Sequence, residues 1–413
     1  MARPLFAAAL ALAGCGFFEN YSKRSAAEER FEQAQAKMRA ERFERALALF
    51  EESAELFAAG EDHAGAALAY AAAGSAAGEL ERHERVLELS GLALDHYKVT
   101  GHRETDWVGF VHLDIASSLS ALDRSEEAIG AFDAARAVLE ATRGHRDAVL
   151  VWAHGGKTYC QTDLGRLDAA DASSSRALDL AENGVHVDAV ARCAGRVVRA
   201  TFLNLAGRYA EAEQVARRAL AETASPEPAP CVASARNQLG YSLLYRDRPA
   251  EALAEFESGR RLLTERFGPE HEQTATLLDS VGEARRELGD PAAALELHER
   301  ALSIRERGGV KDAVGDAWIV DNIGHARLDL GRPAEAIADF TRAAGTIRRA
   351  HGDEHHALGR EHQHLAEARF AAGDAAAACA DLERAISIRE ATLGEDHPLT
   401  KESLRWKARC AGE

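Results

Sequence analysis

Apolar residues recur along this chain at a helical spacing, and short polar turns that contain glycine separate the apolar segments. Ile323, Ile337, Phe340 and Ile347 belong to one such pattern. A period near 3.6 residues is typical of a helix that buries one face. At 208–212 a turn leads directly into the next apolar segment. The pattern therefore predicts a helix, a short turn and a second helix, repeated many times.

Small residues repeat at a longer interval. Gly240, Gly282 and Gly324 follow one another at steps of 42 residues. An anchor in the predicted second helix, usually alanine, extends this interval over nine units in steps of 40 or 42. The anchors are Ala46, Val86, Ala128, Ala170, Ala212, Ala252, Ala294, Ala336 and Ala378. A single helical hairpin cannot bury its apolar face alone, so stacked neighbours must complete the core.

The small positions indicate how the helices cross. A mostly small residue lies twelve positions before each anchor in the predicted first helix, as at Ala200 and Gly240, and another small residue follows each anchor by seven positions, as at Ala219 and Gly259. Small side chains let neighbouring helices approach closely. The long interval therefore predicts closely crossed helix pairs.

This pattern resembles the tetratricopeptide repeat, in which a small residue of helix one faces alanine and an aromatic residue of helix two. Phe50, Phe132, Phe256 and Phe340 stand at the aromatic position, whereas Ser90, Ser174, Ala216, His298 and Leu382 depart from it. The 42-residue period, with Gly-x-x-His loops at 268–271, 352–355 and 394–397, is similar to the long repeats of kinesin light chains. The resemblance implies an all-α fold, a right-handed superhelix of about nine helix-turn-helix repeats.

The repeats and the flanking segments predict the domain organisation. Repeats one to five occupy 25–224, and repeats six to nine occupy 231–397, with a Pro-rich loop at 225–230 between them. A capping helix follows at 398–413, because an open solenoid end needs a segment with one polar face.

The N-terminus resembles a bacterial lipoprotein signal. Arg3 precedes an apolar run that is too short to span a bilayer and ends in Leu12-Ala13-Gly14-Cys15. The resemblance implies that residues 1–14 form a signal peptide that is cleaved before Cys15 and that lipid is attached to Cys15. Residues 15–24 would then form a short tether. Several acyl chains on one residue anchor a protein stably. Gly16 stands where many Gram-negative bacteria use Asp for inner-membrane retention, which favours the outer membrane.

The remaining cysteines are widely spaced and form no C-x-x-C pair. They are Cys160, Cys193, Cys231, Cys379 and Cys410. We expect most of them to be small buried residues in helix packing. An oxidising periplasm would also allow one pair to form a disulfide.

Composition and charge narrow the classes of function. Aromatic residues make up only 6% of the chain, whereas apolar residues make up 46%, so alanine and leucine supply much of the core. The formal charge of −17 argues against a nucleic-acid partner, which needs a basic surface for phosphates. The charge is typical of a long solvated surface.

Motifs for chemistry are mostly missing. Gly155-Gly156-Lys157-Thr158 resembles the end of a P-loop, but Val151 occupies the position of the required first glycine. Histidines cluster at 351–364, yet His355 repeats the loop histidines, and His362 and His364 point to different faces of a helix. We therefore expect no catalytic residues, no cofactor, no metal site and no small-molecule substrate.

The first helices offer the best candidates for ligand contact. The resemblance to tetratricopeptide superhelices implies that helix one of each repeat lines a concave groove. Polar residues that recur on those helices can exchange hydrogen bonds with an extended peptide backbone. The candidates are Asn237, Tyr241, Asp279, Glu283, Asp321, Asn322, His325, Gln363 and Glu367. Four of these are acidic, which favours a basic or neutral polypeptide.

The sequence thus predicts a non-catalytic interaction scaffold, anchored by its lipid in a bacterial envelope and facing the periplasm. Its partner is a protein or peptide whose identity the residues do not reveal. A soluble cytosolic tetratricopeptide protein that senses peptides or regulates another protein is the alternative.

Overall fold

The structure is a computed structural model that describes residues 25–101, 106–142, 147–222, 229–308, 313–395 and 397–411. These residues form α-helices joined by short turns, with one 3-10 segment and no β-strand. The lipoprotein-like segment, including Cys15, and Ser225–Pro228 of the Pro-rich loop lie outside the described residues.

The helices follow one another without interruption by other elements. The first nine are α1 (Ala26–Arg39), α2 (Phe43–Ala59), α3 (His63–Glu79), α4 (His83–Thr100), α5 (Asp106–Ala121), α6 (Ser125–Ala141), α7 (Asp147–Asp163), α8 (Leu167–Asn183) and α9 (Ala189–Leu205). The next ten are α10 (Tyr209–Ala221), α11 (Ala229–Leu244), α12 (Pro249–Phe267), α13 (Glu272–Glu287), α14 (Pro291–Gly308), α15 (Ala313–Asp329), α16 (Pro333–His351), α17 (His356–Ala371), α18 (Ala375–Leu393) and α19 (Pro398–Lys407). The 3-10 segment Ala408–Ala411 follows α19.

The chain divides into two compact units. The first comprises Met1–Asp163 and Ala169–Ala191, and the second comprises Leu164–Asp168 and Arg192–Glu413. The division falls before the Pro-rich segment, whose residues Ala229 and Pro230 already belong to α11.

The helices from α1 to α7, and those from α10 to α19, each pack on the next, as the repeat predicts. First helices of successive repeats also touch one another: α3 touches α5 and α5 touches α7 in the first unit. In the second unit α11, α13, α15 and α17 lie side by side in that order. We call these four helices the first-helix layer.

The repeat anchors occupy the core. All nine are at most 1% exposed, and the small residues at the first-helix positions are likewise buried. The prediction of nine helix-pair repeats is therefore confirmed.

Glycine in a first helix makes room for an aromatic ring of the second helix. A Cβ atom at Gly240 would lie 2.3 Å from Cε1 of Phe256, and one at Gly324 would lie 2.6 Å from Cε1 of Phe340. His298 takes the aromatic place in the repeat between them, where a Cβ atom at Gly282 would lie 2.7 Å from its ring.

The glycine ladder at the turns has a backbone cause. Gly289, Gly331 and Gly373 have φ angles of +83°, +73° and +84°, in the left-handed region that glycine adopts without steric cost. Asp247 holds the same place in the preceding repeat at φ +58°. A short left-handed turn therefore joins the two helices of each of these repeats.

The Gly-x-x-His loops join one repeat to the next. Their glycines end the second helices, and each histidine caps the helix that follows. Nδ1 of His271 accepts from the backbone N–H of Gln273 at 3.2 Å, and His355 accepts from Ala357 at 3.4 Å. The interpretation of His355 as a loop feature agrees with this capping role.

Two disulfides change the account of the cysteines. Cys193 of α9 bonds to Cys231 of α11, and Cys379 of α18 bonds to Cys410. The expectation of a buried free residue holds for Cys160 and is wrong for these four. Cys193 and Cys231 lie 38 residues apart, so the repeat brings them together on successive first helices.

The terminal segment packs against the last repeat. Nη1 of Arg389 donates to the carbonyl oxygen of Leu399 and to Oγ of Ser403, both at 2.7 Å. The guanidinium of Arg409 lies over the rings of Phe370 and Trp406. Among the described residues, no helix is both long and apolar enough to cross a membrane.

Candidate functional site

The nine sequence candidates all lie on the first-helix layer, but at different depths. Four are buried, with at most 9% of the residue exposed: Asn237, Asp279, Asp321 and Gln363. The other five are half-buried: Tyr241, Glu283, Asn322, His325 and Glu367.

Several candidates form hydrogen bonds with a side chain on a neighbouring first helix or on the terminal helix. Oη of Tyr241 lies 3.1 Å from Oγ of Ser280, and Nδ2 of Asn322 donates to Asp279 at 3.1 Å. Ser403 donates to Oε1 of Gln363 at 2.8 Å. Because each bond spans about one repeat, these residues hold neighbouring helices in register.

Asp279 has a second partner in its own repeat. Its Oδ1 lies 2.6 Å from Nδ1 of the fully buried His298. The ring that departs from the aromatic consensus therefore gives this buried carboxylate a hydrogen-bond partner, which limits the cost of burying it.

The first-helix layer also exposes residues that were not among the sequence candidates. Tyr245 is 53% exposed and Trp318 is 43% exposed, and the side chains of Arg286 and Arg360 are partly exposed. Each of the four repeats supplies one of them. We call Tyr245, Arg286, Trp318 and Arg360 the aromatic-arginine surface. Each of the four residues lies three or four positions from a candidate on the same helix. The sequence candidates therefore miss these exposed residues by one helical turn.

Aromatic and guanidinium groups stack within this surface. The guanidinium of Arg360 lies 4.9 Å from the centre of the Trp318 ring, and Tyr245 stacks on Tyr209 with ring centres 4.9 Å apart. Tyrosine and tryptophan rings offer large contact areas to a ligand at low cost in side-chain entropy.

Electrostatic contacts connect the surface with the residues below it. The charge of Glu283 raises the pKa of Tyr245, and the guanidinium groups of Arg360 and Arg286 act in the opposite direction. Burial raises the pKa of Glu283 to about 7, and the charge of Asp279 contributes. Glu283 is thus only partly ionised near neutral pH.

Basic groups accompany the acidic candidates at this surface. Asp279 and Asp321 are buried and paired with neighbouring helices, whereas Arg286 and Arg360 remain partly exposed. Glu283 and Glu367 are half-buried like these two arginines, so the preference for a basic or neutral polypeptide stays a prediction.

Three residues that could bind a metal ion meet between α15 and α17. Asp321 and His325 lie one helical turn apart on α15, and His364 lies on α17. Oδ1 of Asp321 is 2.6 Å from Nδ1 of His364, and Oδ2 is 3.8 Å from Nε2 of His325. Burial lowers the pKa of His325 to about 3, and His364 contributes. Burial acts to raise the pKa of Asp321, but the charges of His364 and Arg360 hold it below its ordinary range.

The segment that resembles the end of a P-loop lies inside α7. A Cβ atom at Gly156 would clash with the ring of Phe132, and Nζ of Lys157 donates to Asp133 at 2.7 Å. Gly156 and Lys157 therefore take part in contacts with α6.

Comparisons with known proteins address the fold. Residues 231–307 match one tetratricopeptide repeat model, and residues 317–357 and 358–399 match a second. These segments cover α11 to α18. No curated protein matches the chain.

Solved structures are similar over most of the chain at low identity. A Rap protein complexed with Competence and Sporulation Factor is 14% identical, with a TM-score of 0.60, and the match covers 89% of this chain and 98% of that one. The apo form of RapI is 12% identical, with a TM-score of 0.57 and coverages of 90% and 99%. A putative kinesin light chain from Podosopora anserina is 18% identical over 50% of this chain and 99% of its own, with a TM-score of 0.40.

Proposed function

We propose that this chain, whose residues 231–307 and 317–399 are tetratricopeptide repeats, is a non-catalytic scaffold that binds a polypeptide segment of its partner along the first-helix layer. The segment lies across several repeats in an extended conformation. Lipid on Cys15 anchors the scaffold in a bacterial envelope, with the repeats on the periplasmic side.

The aromatic-arginine surface carries this proposal. Tyr, Trp and Arg are the residue types that dominate binding energy at protein interfaces. Tyr245 and Trp318 leave about half of their surface exposed, although most large side chains nearby are buried. An apolar side chain of the partner can pack on these rings, and the guanidinium groups of Arg286 and Arg360 can donate to its backbone carbonyls.

The disulfides support an exported protein. Disulfides form and persist in oxidising compartments and are rare in the bacterial cytoplasm. Cys193–Cys231 and Cys379–Cys410 therefore favour the envelope over the cytosolic alternative. The alternative is a soluble peptide-sensing regulator, which the similarity to a Rap protein would favour. At 14% identity, however, that similarity shows the fold alone.

Selection of a displayed library of random 12-residue peptides on the full-length protein tests the binding proposal. We expect enriched peptides that contain apolar or aromatic residues. Tyr245→Ala and Trp318→Ala each lower their affinity by about 10- to 30-fold, the range for a residue at the centre of an interface. Leu330→Ala, in the turn after α15, serves as the control and leaves the affinity unchanged.

Two outcomes of the same selection would contradict the binding proposal. If no peptide is enriched, or if the enriched peptides bind both variants as tightly as the native chain, the polypeptide does not bind at this surface.

A further inference from the structure

Asp321, His325 and His364 form a cluster that the proposed function does not use. Two of the residues lie at positions i and i+4 of α15, so they share one face of that helix. The third comes from the adjacent first helix of the next repeat. One potential ligand atom from each residue lies within 4.8 Å of the other two.

We propose that Asp321, His325 and His364 bind a divalent transition-metal ion, with Zn²⁺ as the ion that this ligand set suits. Imidazole nitrogen and carboxylate oxygen are ordinary zinc ligands. Two imidazoles and one carboxylate leave at least one coordination position for water or for a group of a partner. The proposal does not depend on the peptide-binding proposal.

The geometry needs only small side-chain movements. Zinc bonds of about 2.1 Å in a tetrahedral site place ligand atoms about 3.4 Å apart. The 3.8 Å between Asp321 and His325 would shorten slightly, and the 2.6 Å contact between Asp321 and His364 would lengthen as the ion replaces the shared proton. These are side-chain rotations, so both helices can stay in place.

The surroundings hold the two imidazoles in position. The rings of His325 and His364 have centres 4.2 Å apart, and Phe340 of α16 packs against both at 5.1 and 5.5 Å. An apolar ring beside a metal site restricts water access and fixes ligand orientation. The side chains of His325 and His364 are 20% and 16% exposed, so an ion can enter.

Two nearby guanidinium groups carry charge of the same sign as the ion, and each has its own carboxylate. Arg286 donates to Asp329 at 3.1 Å, and Arg360 donates to Glu361 at 3.1 Å. The carboxylate of Asp329 offsets the repulsion from Arg286, and Asp321 supplies negative charge to the dication.

His362 offers a matched control on α17. Its Nδ1 lies 3.1 Å from Oδ1 of Asp381, which also binds Arg369. Like His364, it is a partly buried histidine paired with a carboxylate. Among the described residues, however, His362 belongs to no group of three possible metal ligands.

Calorimetric titration of the metal-free full-length protein with ZnCl₂ tests the site. We expect one equivalent of Zn²⁺ to bind, and His325→Gln and His364→Ala each to lower the affinity by about 100-fold or more, because loss of an outer-shell partner alone already costs up to that much. His362→Ala retains native affinity. Helical circular dichroism checks that each variant is folded, and Co²⁺ absorption bands report nitrogen ligation in the native chain.

Two results would overturn the proposal. One is a native chain that binds neither ion. The other is Zn²⁺ binding that persists in folded His325→Gln and is lost in His355→Ala, which would place the ion at the loop histidines instead.

Discussion

A single carboxyl group in the first unit shows how burial in the helix stack changes residue chemistry. Asp114 of α5 is 6% exposed, and Oγ of Ser75 on α3 donates to its Oδ2 at 2.8 Å. Burial raises the pKa of Asp114 to about 7, although the bond from Ser75 acts to lower it. One neutral hydrogen bond does not offset the loss of solvent around a charge.

The raised pKa predicts how stability depends on pH. The unfolded chain loses the Asp114 proton near pH 4, whereas the folded chain keeps it up to about pH 7, so stability falls as pH rises through that window. Asp114→Asn should remove this loss and stabilise the protein at pH 8 by at most about 4 kcal/mol, at about 1.4 kcal/mol per pKa unit. Urea unfolding at pH 4 and pH 8 measures the difference.

Asp168→Asn provides the control, because Asp168 is exposed at the start of α8. Asp168 lies in the first turn of α8, so this change should lower the unfolding free energy by less than about 1 kcal/mol at either pH. If Asp114→Asn and the native protein are equally stable at pH 8, the buried carboxyl group does not destabilise the folded protein.

The candidate residues show what a repeat pattern can and cannot predict. Periodicity identified the correct helices, since Asn237 and Gln363 lie on the first-helix layer as expected. It could not distinguish side chains that bond to the next repeat from side chains that face solvent, because both recur at the same interval. Trp318 and Arg360 were missed for that reason, since the distinction depends on helix rotation and crossing angle.

The metal-ligating cluster gives the same lesson. In the sequence, His362 and His364 are close together but point to different faces of one helix. The structure instead brings His364 to Asp321, 43 residues earlier and one repeat away. Contacts between first helices therefore have to be sought at about one repeat length.

Helix pairs were predicted well, because their contacts involve residues that must be small. Gly240 on α11 faces the ring of Phe256 on α12, and both residues belonged to the sequence pattern. The disulfides were not predicted, since free packing cysteines and paired ones look alike in one sequence.

Gly240→Ala tests the crossing of a helix pair. Alanine normally stabilises a helix interior by about 1 kcal/mol over glycine. At position 240 its Cβ atom would lie 2.3 Å from Phe256, and overpacking typically costs about 1–3 kcal/mol. We expect a net destabilisation of up to about 2 kcal/mol in urea unfolding, partly restored when Phe256→Leu is added.

Gly345→Ala on α16 is the matched control within the same unit. A Cβ atom there would meet only the end of the Arg349 side chain, at 3.8 Å. This variant should be as stable as the native chain or slightly more stable. A Gly240→Ala protein that gains stability like Gly345→Ala would contradict the close crossing.

At the scale of the whole molecule, the proposed anchor makes a prediction about location. When the chain is expressed in a bacterium, labelled palmitate should be incorporated into the native protein, which should fractionate with membranes. Cys15→Ser should lose both the label and the membrane association, because its hydroxyl cannot form the thioether. A native protein found unlabelled in the soluble fraction would favour the cytosolic alternative.

The central claim is that a polypeptide segment binds along α11, α13, α15 and α17. The direct measurement is photo-cross-linking of the full-length protein to a library-selected peptide that carries a benzophenone group, with the attached residue located by mass spectrometry. The account predicts attachment to first-helix residues around Tyr245 and Trp318. Attachment confined to the second helices α12, α14 and α16 would contradict it.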